Sequence, residues 1–323
     1  MSEAARWMEA AIALGERGRG RTAPNPNVGC VVVKDDRVAG RGWTQRGGRP
    51  HAEAMALAEA GEAAAGAEIY VTLEPCTHVS PRGPACADLI VAARPARVVV
   101  ALQDPDPRID GRGIARLREA GIAVDVGTGA AEAERSMAGF LTRQRLGRPF
   151  VTLKLAMSVD GKIALPSGES RWITGEDARA HVHLERARAD MILVGRGTYE
   201  ADRPALDVRL PGLEEEAPRR ALLTRGNGVE GWERLASPED VYRLEGVNDL
   251  LVEGGSATAS AFLAADLVDR LLVYRAPILI GEGKSSIGYI GLTGLADAHR
   301  RWHLADERRL GIDRLEVYER VRD

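Results

Sequence analysis

The chain of 323 residues has no excess of basic charge: 44 Lys and Arg stand against 47 Asp and Glu, for a net charge of -3. Nucleic-acid binders draw much of their affinity from neutralising phosphates, so this balance points away from a nucleic-acid partner and toward a small-molecule substrate. No stretch approaches the ~18 uninterrupted apolar residues that a membrane span requires. The opening Ser2-Glu-Ala-Ala-Arg6 begins an amphipathic segment, not a signal peptide with an apolar centre. A cytoplasmic protein with no membrane partner is expected. Cysteine is scarce too: three residues, an odd number, argue against a disulfide framework and leave metal-binding, catalytic or plain buried thiols. Aromatics are 4% of a chain that is 45% hydrophobic, so Ala, Val, Leu and Ile must fill the core.

The length suggests two domains, and the pattern of elements agrees. Apolar positions at helical spacing run from residue 4 to 17, through Trp7, Ala11 and Leu14. A turn-rich stretch, 22–27, precedes a buried strand over Val28–Val33, a hairpin turn at Asp35-Asp36 and a return strand to Trp43. Helices are expected over 51–60, 85–93, 114–120 and 130–141, with strands over 69–73, 97–101 and 122–126 between them. The polar stretch Gln144-Arg-Leu-Gly-Arg-Pro149 reads as a connector between domains 1–146 and 147–323. Beyond it, strands are expected over 150–155, 191–194, 220–224, 249–253, 270–275 and 315–319, with helices over 177–187 and 256–265 and a surface loop over 210–218. Alternation of this kind indicates an α/β fold in both domains.

Three features of the first domain converge on one chemistry. His51-Ala52-Glu53 is H-x-E at the start of a helix, Pro75-Cys76 directly follows a strand, and Cys86 opens another helix. One imidazole and two thiolates hold Zn²⁺ and leave a fourth position for water, which the metal makes ionisable near neutral pH. A carboxylate that is near the metal but not on it then shuttles the proton, and Glu53 has that place. Each pattern alone is weak; their order at strand-to-helix boundaries is the signal. Nine residues, 77–85, separate the cysteines, where P-C-x-x-C is the common spacing. The competing readings are buried structural thiols with His51 as a helix cap, or His78 as the imidazole ligand. Cys30 lies within an apolar strand and reads as core.

At these residues the chain resembles the bifunctional deaminase/reductase family of riboflavin biosynthesis. The matching stretches are Pro24-Asn-Pro-Asn-Val-Gly-Cys30, Pro50-His-Ala-Glu53, Tyr70-Val-Thr-Leu-Glu-Pro-Cys76 and Asp110-Gly-Arg-Gly113. In the second domain they are Leu153-Lys-Leu-Ala-Met-Ser-Val-Asp-Gly161, Ser167-Gly-Glu-Ser-Arg-Trp-Ile-Thr174, Gly197-Thr198 with Asp202, and Val252-Glu-Gly-Gly255. The resemblance implies a cytidine-deaminase-like first domain and a dihydrofolate-reductase-like second domain. It implies hydrolytic deamination of 2,5-diamino-6-(ribosylamino)-4(3H)-pyrimidinone 5′-phosphate, then reduction of its ribosyl group to ribityl by NADPH. A homo-oligomer is implied as well.

Carried over position by position, the family pattern implies substrate contacts at Asn25, Asn27, Asp104, Ser170, Arg186, Leu206, Arg209 and Glu253. It implies cofactor contacts at Ala156, Trp172, Thr198, Asp202, Gly255 and Ser256. Glu53 would serve deamination, and Asp202 and Glu253 reduction, where a carboxyl with a raised pKa could donate a proton. An Asn amide offers donor and acceptor to a pyrimidine edge, although an Asn/Pro-built turn explains Asn27 equally. Arginine's planar fork suits phosphate at Arg186 and Arg209, and loop Arg82 could face phosphate as well. Thr44 stands where many relatives carry histidine, and Asp106 where they carry asparagine. The stretch 220–252 is short for the family, which leaves a second reading: a deaminase with a weakened reductase domain. Two others are a nucleic-acid-editing deaminase and a zinc-stabilised non-catalytic module. His181, His183, His299 and His303 read as structural or surface groups.

Overall fold

The computed structural model describes residues 2–78 and 82–322. Its chain divides into two units, Met1–Gly147 and Arg148–Asp323. In the first, β1 (Gly29–Lys34), β2 (Arg37–Trp43), β3 (Glu68–Leu73), β4 (Arg97–Leu102) and β5 (Ala123–Val126) form one sheet in the order β2-β1-β3-β4-β5. β1 is antiparallel to both of its neighbours, whereas β3, β4 and β5 run parallel. Asp35 and Asp36 both take positive φ, 51° and 56°, as a two-residue hairpin turn requires. The helices are α1 (Glu3–Gly15), α2 (Ala52–Ala60), α3 (Cys86–Ala93), α4 (Arg112–Glu119), α5 (Ala130–Ser136) and α6 (Ala138–Leu146). The core is the expected aliphatic one: Val31, Val32, Ile69, Val71, Val98 and Val100 are fully buried or nearly so.

Small residues set how close α2 comes to the sheet. A Cβ on Gly40 would lie 2.1 Å from the Ala56 carbonyl oxygen, and one on Gly42 2.2 Å from that of Ala52. The alanine-rich helix therefore rests with its backbone directly on β2, and this contact fixes the height of His51 and Glu53 at its N-terminus. Gly42→Ala is expected to lift α2, to cost ~1–3 kcal/mol of stability as overpacking does, and to weaken zinc binding. Thermal melts with metal analysis check this.

The helix expected over 130–141 is two helices. Ser136 ends α5 because its carbonyl accepts from the Asn27 side-chain amide (3.2 Å) and its hydroxyl donates to Glu16 (2.6 Å). α6 then continues through Leu146 into the stretch read as a connector. Arg148 is not linker either: it is buried against Asp269 in a two-pronged pair of 2.6 and 2.8 Å.

The second unit contains β6 (Phe150–Ser158), β7 (Lys162–Ala164), β8 (Met191–Gly195), β9 (Arg219–Leu223), β10 (Glu233–Leu235), β11 (Asp249–Val252), β12 (Arg270–Ala276), β13 (Lys284–Ser285), β14 (Trp302–Leu310) and β15 (Asp313–Arg320). Its helices are α7 (Glu176–Ala187), α8 (Arg196–Asp202) and α9 (Ser256–Ala264). Eight strands form a sheet in the order β10-β9-β8-β11-β6-β12-β15-β14, and β7 and β13 make a separate ribbon. β10 through β12 of that order are parallel; β15 and β14 are antiparallel additions. The short stretch after residue 220 keeps two strands, so the sheet runs unbroken to that edge. α8, β10 and β14 were not expected from the sequence. β14 carries Asp306-Glu-Arg-Arg309 and is largely exposed at the sheet edge, where charge replaces the apolar alternation of an inner strand. Among the described residues, no helix is long and apolar enough to cross a membrane.

Candidate active sites

In the first unit, His51, Cys76 and Cys86 meet. His51 Nδ1 lies 3.2 Å from Cys86 Sγ and 3.5 Å from Cys76 Sγ, and the three donor atoms all fall within 4.8 Å of one another. Neighbouring N and S ligands of a tetrahedral zinc sit roughly 3.5 Å apart, so the set fits that ion. His51 is the N-cap residue of α2, and Cys86 opens α3 with its N–H directed at Cys76 Sγ (3.4 Å). Hydrogen bonding from Cys86, assisted by His51, holds the Cys76 thiol far below its ordinary range, whereas the bond to Cys76 and burial push Cys86 up. Glu53, also buried, lies within hydrogen-bond reach of Cys86; burial raises its carboxyl and the Cys76 charge adds to this. Part of the loop between the cysteines lies outside the described residues; His78, within them, does not join the cluster.

Glu74 is the anchor of the Pro-Cys turn. Its Oε2 accepts from the N–H groups of Asp104 (3.1 Å) and Gly111 (2.9 Å), and its Oε1 from those of Gly113 (2.8 Å) and Ile114 (3.1 Å). Four backbone donors fix this carboxylate at the start of α4, two residues before Cys76. Glu74→Ala is expected to lower zinc affinity ~10–100-fold, as loss of the groups that orient metal ligands does, with competition against a chromophoric chelator as the readout. Asp104 is buried, which pushes its carboxyl up to about 6. Asp106 is engaged by Arg108 at 3.0 Å, which lowers its pKa. Asn25 donates to the Gly48 carbonyl (2.8 Å). The amide nitrogen of Asn27 faces Gly15 and Ser136, so its donor end serves the scaffold. Thr44 does likewise, accepting from the Val28 N–H at 3.0 Å.

In the second unit, the loop that leaves the C-terminal end of β11 meets α8, which follows β8 directly: the Gly255 N–H donates to Thr198 Oγ1 at 3.2 Å. Ligands of parallel sheets bind at such ends. Glu253 is buried there between Arg186, with bonds of 2.7 and 3.0 Å, and Lys154, at 3.6 Å. Burial alone would raise this carboxyl, but Lys154 and Arg186 outweigh it and hold it at about 2. The expectation of a raised-pKa proton donor is thus corrected at Glu253, which is an ionised carboxylate. Arg186 also donates to the Asp207 carbonyl (3.0 Å). Three of its five N–H groups are spent on protein, so it organises Glu253 before it can meet a phosphate. Arg209 is 65% exposed and paired loosely with Asp207 at 3.5 Å. Leu206 is buried with φ 54°. Asp202 pairs with Arg171 (3.2 Å), which ties the end of α8 to the loop that carries Ser170 and the 68% exposed Trp172. No side-chain hydrogen bond or ion pair among the described residues links Ala156 or Ser170 to the Glu253 cluster.

Both halves of the chain match known families. Residues 1–102 match the cytidine and deoxycytidylate deaminase zinc-binding region, and residues 149–235 and 239–313 match the RibD C-terminal domain. Over 90% of its length the chain is 42% identical to the riboflavin biosynthesis protein RibD of Escherichia coli, covering 93% of that protein. The chain belongs to the RibD family. It is a bifunctional enzyme of riboflavin biosynthesis, a deaminase and then a reductase. Among solved RibD structures, that of Acinetobacter baumannii superposes with a TM-score of 0.90 at 36% identity, covering 99% of both chains. The Thermotoga maritima diaminohydroxyphosphoribosylaminopyrimidine deaminase/5-amino-6-(5-phosphoribosylamino)uracil reductase gives 0.88 at 31% identity, with 98% of this chain and 99% of that one covered.

Two residues of this RibD chain escaped the sequence reading. Glu74 stands inside the Glu-Pro-Cys triplet, and its partners, Asp104, Gly111, Gly113 and Ile114, lie 30 to 40 residues further along the chain. Lys154 sits between Leu153 and Leu155, and a cation inside a buried strand was the available signal.

Proposed function

We propose that the two reactions are carried by the residues gathered at each site and that both act on one pyrimidine ribosyl phosphate. The observation that carries the reading is the pairing of a three-donor metal site with the buried Glu53 carboxyl beside it, whose pKa burial raises. His51, Cys76 and Cys86 would hold zinc, which would supply the Lewis acidity that lets water ionise near neutral pH. Glu53 takes the proton of the attacking water and passes it to the departing amine, so ammonia leaves and a carbonyl remains. Its raised pKa suits a group that must hold that proton between the two steps. Asn25, Asn27 (through its acceptor oxygen) and Asp104 orient the pyrimidine.

Ala156, Trp172, Thr198, Asp202, Gly255 and Ser256 would hold NADPH, which would supply the hydride for the ribosyl C1′. Opening the ribose requires a proton at the ring oxygen. Glu253, held as a carboxylate, does not supply it; its ion pair with Lys154 at 3.6 Å aims the Lys154 side chain, which makes Lys154 the donor and leaves Asp202 to the cofactor side. Ser170, Leu206 and Arg209 complete the substrate pocket, with Arg209 and the two remaining Arg186 N–H groups on the phosphate. The reading includes a homo-oligomer in solution.

Chelation separates the two halves. Stripping zinc is expected to abolish deamination while reduction of the already deaminated substrate continues. Loss of both reactions on chelation would mean that the reductase is not independent of the metal site.

A further inference from the structure

The segment 170–174, which carries Ser170 and Trp172, joins α7 through Gly175, and its far end is held in an unusual way. Asp313, wholly buried at the start of β15, accepts from the Gly175 N–H through Oδ2 at 2.6 Å. Its other oxygen, Oδ1, is buried with no hydrogen-bond partner. Arg179, one turn into α7, donates to the Thr174 carbonyl at 2.6 Å and stands 4.8 Å from the centroid of the Trp172 ring. The turn between β14 and β15 closes on the same place: a Cβ on Gly311 would meet Asp177 Oδ2 at 2.2 Å, and one on Gly175 would meet Ile312 at 3.6 Å.

A carboxylate oxygen buried without a donor costs folding free energy, and native structures keep such groups rarely. What Asp313 provides in return is geometric. A charged acceptor at the N-terminus of α7 makes a short, directional bond. That bond fixes where the backbone leaves the helix, and Arg179 fixes the residue before it and the ring two residues earlier. We propose that Asp313 is a positioning residue for the reductase: it anchors Gly175 so that Trp172, backed by Arg179, is presented to the dinucleotide. This rests on the reading above that Trp172 lines the cofactor pocket.

The test is steady-state reduction at varied NADPH by the full-length, zinc-loaded chain, with deamination by the same preparation as the folding control. Asp313→Ala is expected to raise KM for NADPH about tenfold, with KM for the pyrimidine and the deamination rate unchanged. Asp313→Asn keeps an acceptor for Gly175 and places an amide at the orphan oxygen; it should stay within about threefold of the parent. A residue needed only for stability gives the other split, in which kcat falls with the folded fraction, KM holds and asparagine rescues nothing; that result overturns the proposal. Trp172→Ala, measured alongside, separates the layers. If it raises KM for NADPH and Asp313→Ala does not, only the positioning role falls. If it leaves KM unchanged, the cofactor-pocket reading falls and takes the proposal with it. Should Asp313→Ala fail to accumulate as folded protein, Asp313→Glu, with the same charge one methylene longer, carries the same expectation of a raised KM with deamination intact.

Discussion

Glu53→Gln is expected to lower the deamination rate by ~10²–10⁴-fold, the usual contribution of a positioned proton shuttle, while one zinc per chain is retained and reduction of deaminated substrate is unaffected. The substitution keeps shape and hydrogen-bonding reach but cannot carry a proton. His51, Cys76 and Cys86 make up the donor set without it, and Glu53 occupies a buried position beside them. Metal analysis together with an ammonia-release assay reads both halves of the expectation. Zinc lost along with activity would make Glu53 a structural residue of the metal site.

The second large effect lies at the Glu253 cluster. Arg186→Leu leaves a buried carboxylate facing Lys154 alone, and removing one partner of a buried pair costs about 3–5 kcal/mol. For a unit of this size the melting transition should fall by roughly 10 °C, and reduction should be lost before deamination on heating. Acid should expose the same pair. The folded-state pKa of Glu253 is depressed to about 2, so its stabilisation is complete above the unfolded carboxyl range and is lost as pH falls toward 2. That contribution amounts to about 3 kcal/mol in the parent, and in Arg186→Leu the same acid limb should be shallower. Denaturant melts between pH 3 and 6 measure both. Identical limbs in parent and variant would show that Arg186 does not hold the charge of Glu253.

The parts of this enzyme written in short-range pattern were legible. Aliphatic runs and turn residues located the hairpin at Asp35-Asp36 and most inner strands, and H-x-E, Pro-Cys and Cys86 located the metal donors, because their spacing relative to strand ends is itself the constraint. What was not legible depends on partners distant in sequence. The break at Ser136 is made by Asn27, and nothing in the 130–141 pattern announces it. Arg148 looked like linker because its partner, Asp269, is 121 residues away. β14 hid behind its charges because an edge strand need not alternate. Asp202 and Glu253 were equal candidates for a raised-pKa acid because a carboxyl near a ribose suggests one; only the placement of Lys154 and Arg186 around Glu253 reveals the opposite there. The shortness of 220–252 suggested a weakened reductase, yet β9 and β10 pair in register and extend the sheet.

The most direct measurement is a mass-spectrometric time course of the zinc-loaded chain on the diaminopyrimidine ribosyl phosphate, with and without NADPH. The deaminated ribosyl product is expected alone when NADPH is absent, and the ribityl product only when it is present. Deamination that NADPH leaves without a further product would contradict the assignment of reduction to the second unit.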